Sequence, residues 1–205
     1  MSASVAVAVA ADPRRAERAE RLAAEVGAHV VWDTRRSEWD THSRAWRWCH
    51  AQGADWGVVL QDDAVPVPGF RDVIGGILWS APVWSCVGLY VGTSRPPQVQ
   101  PLFRRLMAEA DARHDQWIRA DSLYWGVGVA MPRGDILPAL RHPSFLIPYD
   151  ERIGAFFRAA RRPVLYTWPS LVDHADEPTL LVHADGKPRT ERRRAWRVGV
   201  PGRGA

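Results

Sequence analysis

Residues 4–10 (SVAVAVA) form an unbroken run of small and β-branched side chains, the pattern of a strand buried on both faces. Asp12 and Pro13 follow, a carboxylate able to cap free N–H groups and a proline suited to the first helical position. The alanine-rich, charge-laced stretch 14–26 predicts a helix, and Gly27 stands where that helix should stop. A short strand is expected over 28–32, ending at Asp33, and a helix over 41–52, stopped by Gly53. The run WGVVL at 56–60 predicts a third buried strand that leads straight into Gln61, Asp62 and Asp63. Strand, helix, strand, helix, strand in the first 60 residues implies parallel pairing with right-handed crossovers.

Beyond Pro66 and Pro68 the alternation continues with less regularity. Helices are expected over 69–79, 98–113 and 149–160, and strands over 86–91 and 163–167. Residues 122–131 (SLYWGVGVAM) suggest glycine-interrupted β structure. From 177 onward the periodicity fades. The expected fold is α/β: one Rossmann-like domain over 1–176 with a mostly parallel sheet flanked by helices, divided near residue 95, and a basic tail over 177–205.

Composition sharpens this picture in three places. At 205 residues with 46% hydrophobic and 24% charged side chains, the chain fits one globular domain. No apolar stretch approaches the roughly 18 residues that span a bilayer, and 4–11 lacks the basic start and the length of a secretory signal. The two cysteines, Cys49 and Cys86, offer neither a disulfide framework nor metal spacing, so a cytoplasmic location is expected. The net charge of +4 is concentrated at the end: from Lys187 onward seven basic residues accompany a single acid, Glu191. The body is therefore slightly acidic, and anion binding by the basic residues is a question for the tail.

Carboxylates mark the ends of the first three expected strands: Asp12, Asp33 and the Asp62–Asp63 pair. In open parallel sheets ligands bind at those ends. Oxygen ligands there suit a divalent cation, which offsets charge on a phosphate leaving group. Each acid also has an ordinary role, helix capping for Asp12 and turn formation for the others. A second acidic cluster lies about 90 residues on: Asp150 and Glu151 at a helix start, and Asp173, His174 and Asp176 after a strand. A carboxylate fixed at a helix N-terminus can serve as a general base, although acids are also common in first turns. A neutral histidine can ligate a metal.

Four stretches together resemble GT-A glycosyltransferases, in particular small phage and bacterial members near the lipopolysaccharide and collagen galactosyltransferase type. They are the first strand with Asp12-Pro13-Arg14-Arg15, the segment THSRAW at 41–46, VVLQDDA at 58–64, and the pair YDERIGAFF at 149–157 and YTWPSLVDH at 166–174. The resemblance spans about 3–176 and implies transfer of a sugar from a nucleotide diphosphate-sugar, a UDP-sugar foremost, to a hydroxyl acceptor. By it, Asp63 and His174 would hold Mn²⁺ or Mg²⁺, and Asp62 would contact ribose or the metal shell. Asp150 would activate the acceptor, with Glu151 as the competing choice. Asp12, Arg14, Asp33 and Gln61 would line the nucleotide site, and Trp125-Gly126 the donor sugar. Gln61 departs from the family, which often has an acid there, and weakens the expected pull on a metal.

For the tail, Arg194 and Trp196 are expected to close over the donor, arginine pairing with diphosphate. The alternative partner is DNA, with phosphates on arginine and a base stacked on tryptophan. Phage enzymes of this general kind that glycosylate hydroxymethylpyrimidines make such a DNA acceptor part of the expectation, alongside a polysaccharide, a lipid-linked glycan or a protein. A sugar-nucleotidyltransferase would need a glycine-rich loop after the first strand, and AADPRR has no glycine. A non-enzymatic nucleic-acid binder would account for the tail and leave the acidic strand ends unexplained.

Overall fold

A computed structural model describes residues 1–144, 148–176 and 192–202. Strand β1 (Val5–Ala11) is buried along nearly its whole length. Asp12 then caps a one-turn 3-10 helix (Pro13–Arg15) by accepting the Arg14 backbone N–H, and α1 (Ala16–Val26) ends at Gly27 in the left-handed region (φ 67°). There follow β2 (His29–Trp32), α2 (Glu38–Ala51), β3 (Trp56–Gln61), β4 (Ala64–Pro66), α3 (Phe70–Ser80) and β5 (Cys86–Gly88). The second half contains α4 (Gln100–Arg113), β6 (Trp117–Ala120), β7 (Gly128–Pro132), α5 (Arg133–Arg141), α6 (Tyr149–Ala159), β8 (Val164–Thr167) and β9 (Val172–His174).

Among the described residues the main sheet has seven strands in the order β2-β1-β3-β7-β5-β8-β6. Five of them, β2, β1, β3, β5 and β8, run in one direction, while β7 and β6 run against it. The fold is the expected Rossmann-like α/β domain with a mostly parallel sheet. Its antiparallel members come from the second half, where the sequence rhythm was weakest.

Several expected boundaries shift for local reasons. Helix α2 starts at Glu38, three residues earlier than expected, because Ser37 accepts the Asp40 backbone N–H and caps it. Residues 122–131 are strand only from Gly128. The preceding loop carries Tyr124, Trp125 and Gly126 to the ends of the strands. Strand β6 and helix α5 went unforeseen: β6 has one fully buried position in four, and α5 contains Pro138.

A small second sheet positions the site. Strand β4 pairs antiparallel with β9, setting Ala64 opposite His174 and Pro66 opposite Val172. The Ala175 N–H also donates to the Asp63 carbonyl at 2.9 Å. Segments more than a hundred residues apart are thereby locked side by side just beyond the end of β3.

The described part of the tail is stitched to the body. Thr93 N–H donates to the Arg194 carbonyl, Trp196 N–H to the Val91 carbonyl and Ser170 N–H to the Arg197 carbonyl, each at 2.9–3.0 Å. The remainder of the expected tail, 177–191 and 203–205, lies outside the described residues.

Candidate active site

The carboxyl ends of β1, β2 and β3 open into a cavity of about 540 Å³. Its wall includes Asp12, Asp33, Gln61, Asp62 and Asp63 from the first half, and Trp125, Gly126, Asp150 and His174 from the second. The two acidic clusters that the sequence separates by 90 residues thus face one space.

The adjacent aspartates have different partners. Asp62 has both oxygens engaged: Oδ2 accepts the Asp12 backbone N–H at 2.8 Å, and Oδ1 accepts from Arg15 Nη1 at 2.9 Å. It ties the end of β3 to the end of β1. Asp63 Oδ2 accepts from the same Arg15 nitrogen at 2.8 Å, whereas its Oδ1 is buried without a hydrogen-bond partner among the described residues. Buried polar atoms are normally satisfied, so an orphaned carboxylate oxygen in a cavity wall marks a place for a ligand.

His174 Nε2 lies 3.4 Å from Asp63 Oδ2. Its Nδ1 accepts the Asp176 backbone N–H at 3.0 Å, so the neutral ring carries its proton on Nε2 and directs it at Asp63. Burial lowers the ring's pKa and keeps it neutral. His174 Nε2 therefore faces Asp63 across a long contact of 3.4 Å. The expected metal-ligating lone pair on Nε2 would require the proton to move to Nδ1 and the Asp176 bond to break.

Asp150 is held by its helix. Tyr149, one residue before it, is buried, stacks on His42 with ring centroids 3.7 Å apart, and donates its hydroxyl to the Gly126 carbonyl. A Cβ at Gly126 would run into the Tyr149 ring, so glycine is what permits this approach. Asp150 Oδ1 accepts the Glu151 backbone N–H at 2.8 Å.

Not every expected residue reaches the cavity. Arg14 turns back onto Asp12, with Nε at 2.9 Å from Oδ1, and its neighbour Arg15 is the one that enters. Glu151 lines a smaller adjoining cavity of about 330 Å³, which shares Asp150 and Tyr124 with the main one. Arg194 is paired with Asp173, its Nε 2.7 Å from Oδ2, and Trp196 donates to Gln100 at 3.1 Å; among the described tail residues Arg193 is the one in the cavity wall. Arg192 pairs with Asp176 and Arg197 with Asp111. These arginines are engaged by the slightly acidic body.

No family model matches the chain, and no curated protein matches it. Among solved structures the chain is similar to A197 from STIV, with 13% identity over 82% of this chain and 85% of that one and a TM-score of 0.48.

Glu38 and His42, for which no role in the site was expected, join Asp150 and Asp62 in shaping the electrostatics of the cavity. Burial raises the Asp150 carboxyl to about 6. Glu38, in the first turn of α2, is pushed up to about 7 by burial and then by the Asp150 charge, against a hydrogen bond from the Tyr149 backbone. His42 falls to about 4 through burial and is neutral. Burial also raises Asp62, although Arg15 works against it. A carboxylate poised near neutrality in a cavity is the kind of group that moves protons.

Whether a divalent cation fits can be judged from the donor set. Among the described residues no group of three or more His, Cys, Asp or Glu side chains forms a cage for a metal ion. Two adjacent carboxylates with one orphaned oxygen suit a different mode. Mg²⁺ usually binds one or two carboxylates together with substrate phosphates rather than a complete protein cage. The residues fit a cation completed by a phosphate ligand.

Proposed function

We propose that this protein is a glycosyltransferase that moves a sugar from a nucleotide diphosphate-sugar to a hydroxyl acceptor. One observation carries the proposal: Asp62 and Asp63 at the end of β3 and Asp150 at the start of α6 line the same 540 Å³ cavity. That volume falls in the usual range for small-molecule sites, and the two clusters divide the labour such a transfer needs.

Asp63, seconded by Asp62, would hold Mn²⁺ or Mg²⁺, which when bound supplies positive charge to offset that developing on the departing diphosphate. Asp33 and Asp12 offer acceptors for the nucleoside, and Trp125 and Gly126 border the space left for the sugar. Asp150 takes the proton from the acceptor hydroxyl as its oxygen bonds to the anomeric carbon and the nucleoside diphosphate leaves with the bonding electrons. A single base on one side favours direct displacement, hence inversion at the anomeric carbon.

The acceptor is assigned only as a hydroxyl compound. A DNA acceptor gains nothing from Arg192, Arg194 and Arg197, which are paired with acids of the same chain. Among the described residues no helix is long and apolar enough to cross a membrane.

The direct test is a thermal-shift and hydrolysis screen of nucleotide diphosphate-sugars in Mn²⁺. At least one should raise the melting temperature and be cleaved by the wild type, and Asp63→Ala should abolish cleavage. A full panel that neither stabilises the protein nor is cleaved would remove the proposal.

A further inference from the structure

The position between the two aspartates is taken by a side chain. Arg15 Nη1 sits 2.9 Å from Asp62 Oδ1 and 2.8 Å from Asp63 Oδ2, and all three side chains are largely withdrawn from water, Arg15 exposing only 11%. A guanidinium stays charged at any accessible pH, so it cannot make way by losing a proton; it must move. Two cations crowded onto one pair of carboxylates repel each other strongly in so dry a setting. Arg15 belongs to the short 3-10 turn between β1 and α1, which has no buried residue, and its side chain lies in the cavity wall rather than in the core.

We propose that Arg15 is a resident counter-ion that a divalent cation must displace from the Asp62–Asp63 pair, and that the displaced guanidinium then pairs with the donor's diphosphate. The exchange deepens the glycosyltransferase assignment and rests on it for the second half. It accounts for two features together. The carboxylate pair is half neutralised in the free protein by a group already present, while the buried Asp63 Oδ1 has no hydrogen-bond partner among the described residues. It also couples the two ligands. A cation alone must evict Arg15 into a cavity that offers it no phosphate, whereas a cation arriving with a diphosphate gives the guanidinium a new partner. Linkage requires that the diphosphate tighten the cation and the cation tighten the diphosphate by the same factor, which for coupled sites is commonly about 5- to 150-fold.

The experiment measures Mn²⁺ binding by calorimetry or electron paramagnetic resonance, with metal alone and then with UDP present. Wild type is compared with Arg15→Met and Arg15→Lys, each checked for folding by its melting curve. Arg15→Met should bind Mn²⁺ alone roughly ten-fold or more tightly than wild type. UDP should tighten Mn²⁺ strongly in wild type and much less in Arg15→Met. Arg15→Lys, which keeps the charge, should stay close to wild type with metal alone. Unchanged or weaker Mn²⁺ affinity in Arg15→Met overturns the proposal.

Should Arg15→Met fail to fold, the wild type decides by NMR of its arginine side-chain nitrogens. Mg²⁺ should move the Arg15 resonance, and a resonance that stays put at saturating Mg²⁺ is as damaging as an unchanged affinity. The two assignments fail separately. Tighter Mn²⁺ binding to Arg15→Met with no nucleotide sugar cleaved would sink the glycosyltransferase alone. Cleavage with unaltered Mn²⁺ affinity would sink the exchange alone.

Discussion

The wall of the cavity built from residues 10–63 and the wall built from residues 124–174 hold their carboxylates by different means. In the first wall each acid sits directly beyond a strand of the parallel sheet: Asp12 after β1, Asp33 after β2, and Asp62 and Asp63 after β3. The placement of Asp12 and Asp33 is local. Asp12 caps the turn that follows it, and Asp33 Oδ1 accepts the Arg35 and Ser37 backbone N–H groups ahead of α2. In the second wall nothing local suffices. Asp150 depends on Tyr149 reaching both His42 and Gly126, and His174 depends on β9 finding β4. Changes at Asp12 or Asp33 should therefore have little effect on geometry, whereas changes to the Tyr149, Gly126 and β9 supports of the second wall should disturb geometry first.

The largest effect separates the two acids at the start of α6. Asp150→Asn keeps the shape and removes the proposed base, so the proposed sugar transfer should fall by about 10²–10⁴-fold with donor affinity retained. Glu151→Gln, outside the main cavity, should change transfer by only a few-fold. Product formation under saturating acceptor checks both, and a larger loss in Glu151→Gln would reverse their roles. The pH profile adds an independent sign. The base works ionised, and burial holds its folded pKa near 6, so transfer by the wild type should rise as pH increases through about 6. Above about 7 Glu38 also ionises and adds a negative charge facing an anionic donor, so donor affinity should weaken there. Asp150→Asn should lose the acid limb in whatever activity remains.

The same division explains what the chain reveals before folding. The three parallel strands and their terminal acids were legible because apolar runs, caps and glycine stops lie next to one another in sequence. Asp150 was legible as a residue type at a helix start, since acids in first turns are visible in any sequence. That it faces Asp62 and Asp63 was not, because the β4–β9 pairing and the Tyr149–Gly126 approach link residues 23 to more than a hundred positions apart. Arg15 was missed in favour of Arg14 because a one-turn 3-10 helix decides which of two adjacent arginines turns inward, and the dipeptide itself carries no such signal. Arg194 and Trp196 were misplaced for a related reason. A basic run suggests phosphate, yet Asp173 lies within reach, and a carboxylate of the same chain is always present to compete. Glu38 was hidden by a helix boundary three residues out, which left it in an apparent loop.

A second change probes geometry without touching any chemical group. Gly126→Ala would drive a methyl into the buried Tyr149 ring, whose hydroxyl is bonded to the Gly126 carbonyl, so the ring cannot swing aside cheaply. Overpacking of this kind costs roughly 1–3 kcal/mol. Because Tyr149 adjoins Asp150, a shift of the helix start also misplaces the base, and displacements of about 1 Å can cost on the order of 10²-fold in rate. Transfer should therefore fall by about that factor, with a lower melting temperature, while hydrolysis of the donor by water should fall less. Equal loss of both would mean that Gly126 serves the donor side alone and that Asp150 needs no support from Tyr149.

The smallest effect tests whether the end of the chain belongs to the frame or to the chemistry. Arg197 pairs with Asp111 through two bonds of 2.7 and 2.9 Å and lies over the Trp168 ring at 4.6 Å, while Trp168 Nε1 donates to the same carboxylate at 2.8 Å. The ion pair is half exposed, so it contributes only about 0.2–1 kcal/mol after solvent screening. The contact with the ring adds a similar amount. Arg197→Ala should lower the melting temperature by about 2–4 °C, the shift expected for roughly 1 kcal/mol in a chain of this size. Transfer at a temperature well below melting should be unchanged, because neither Arg197 nor Asp111 lines the cavity. A marked loss of transfer with the melting temperature intact would extend the site from Arg193, which already lines the cavity, along the segment to Arg197.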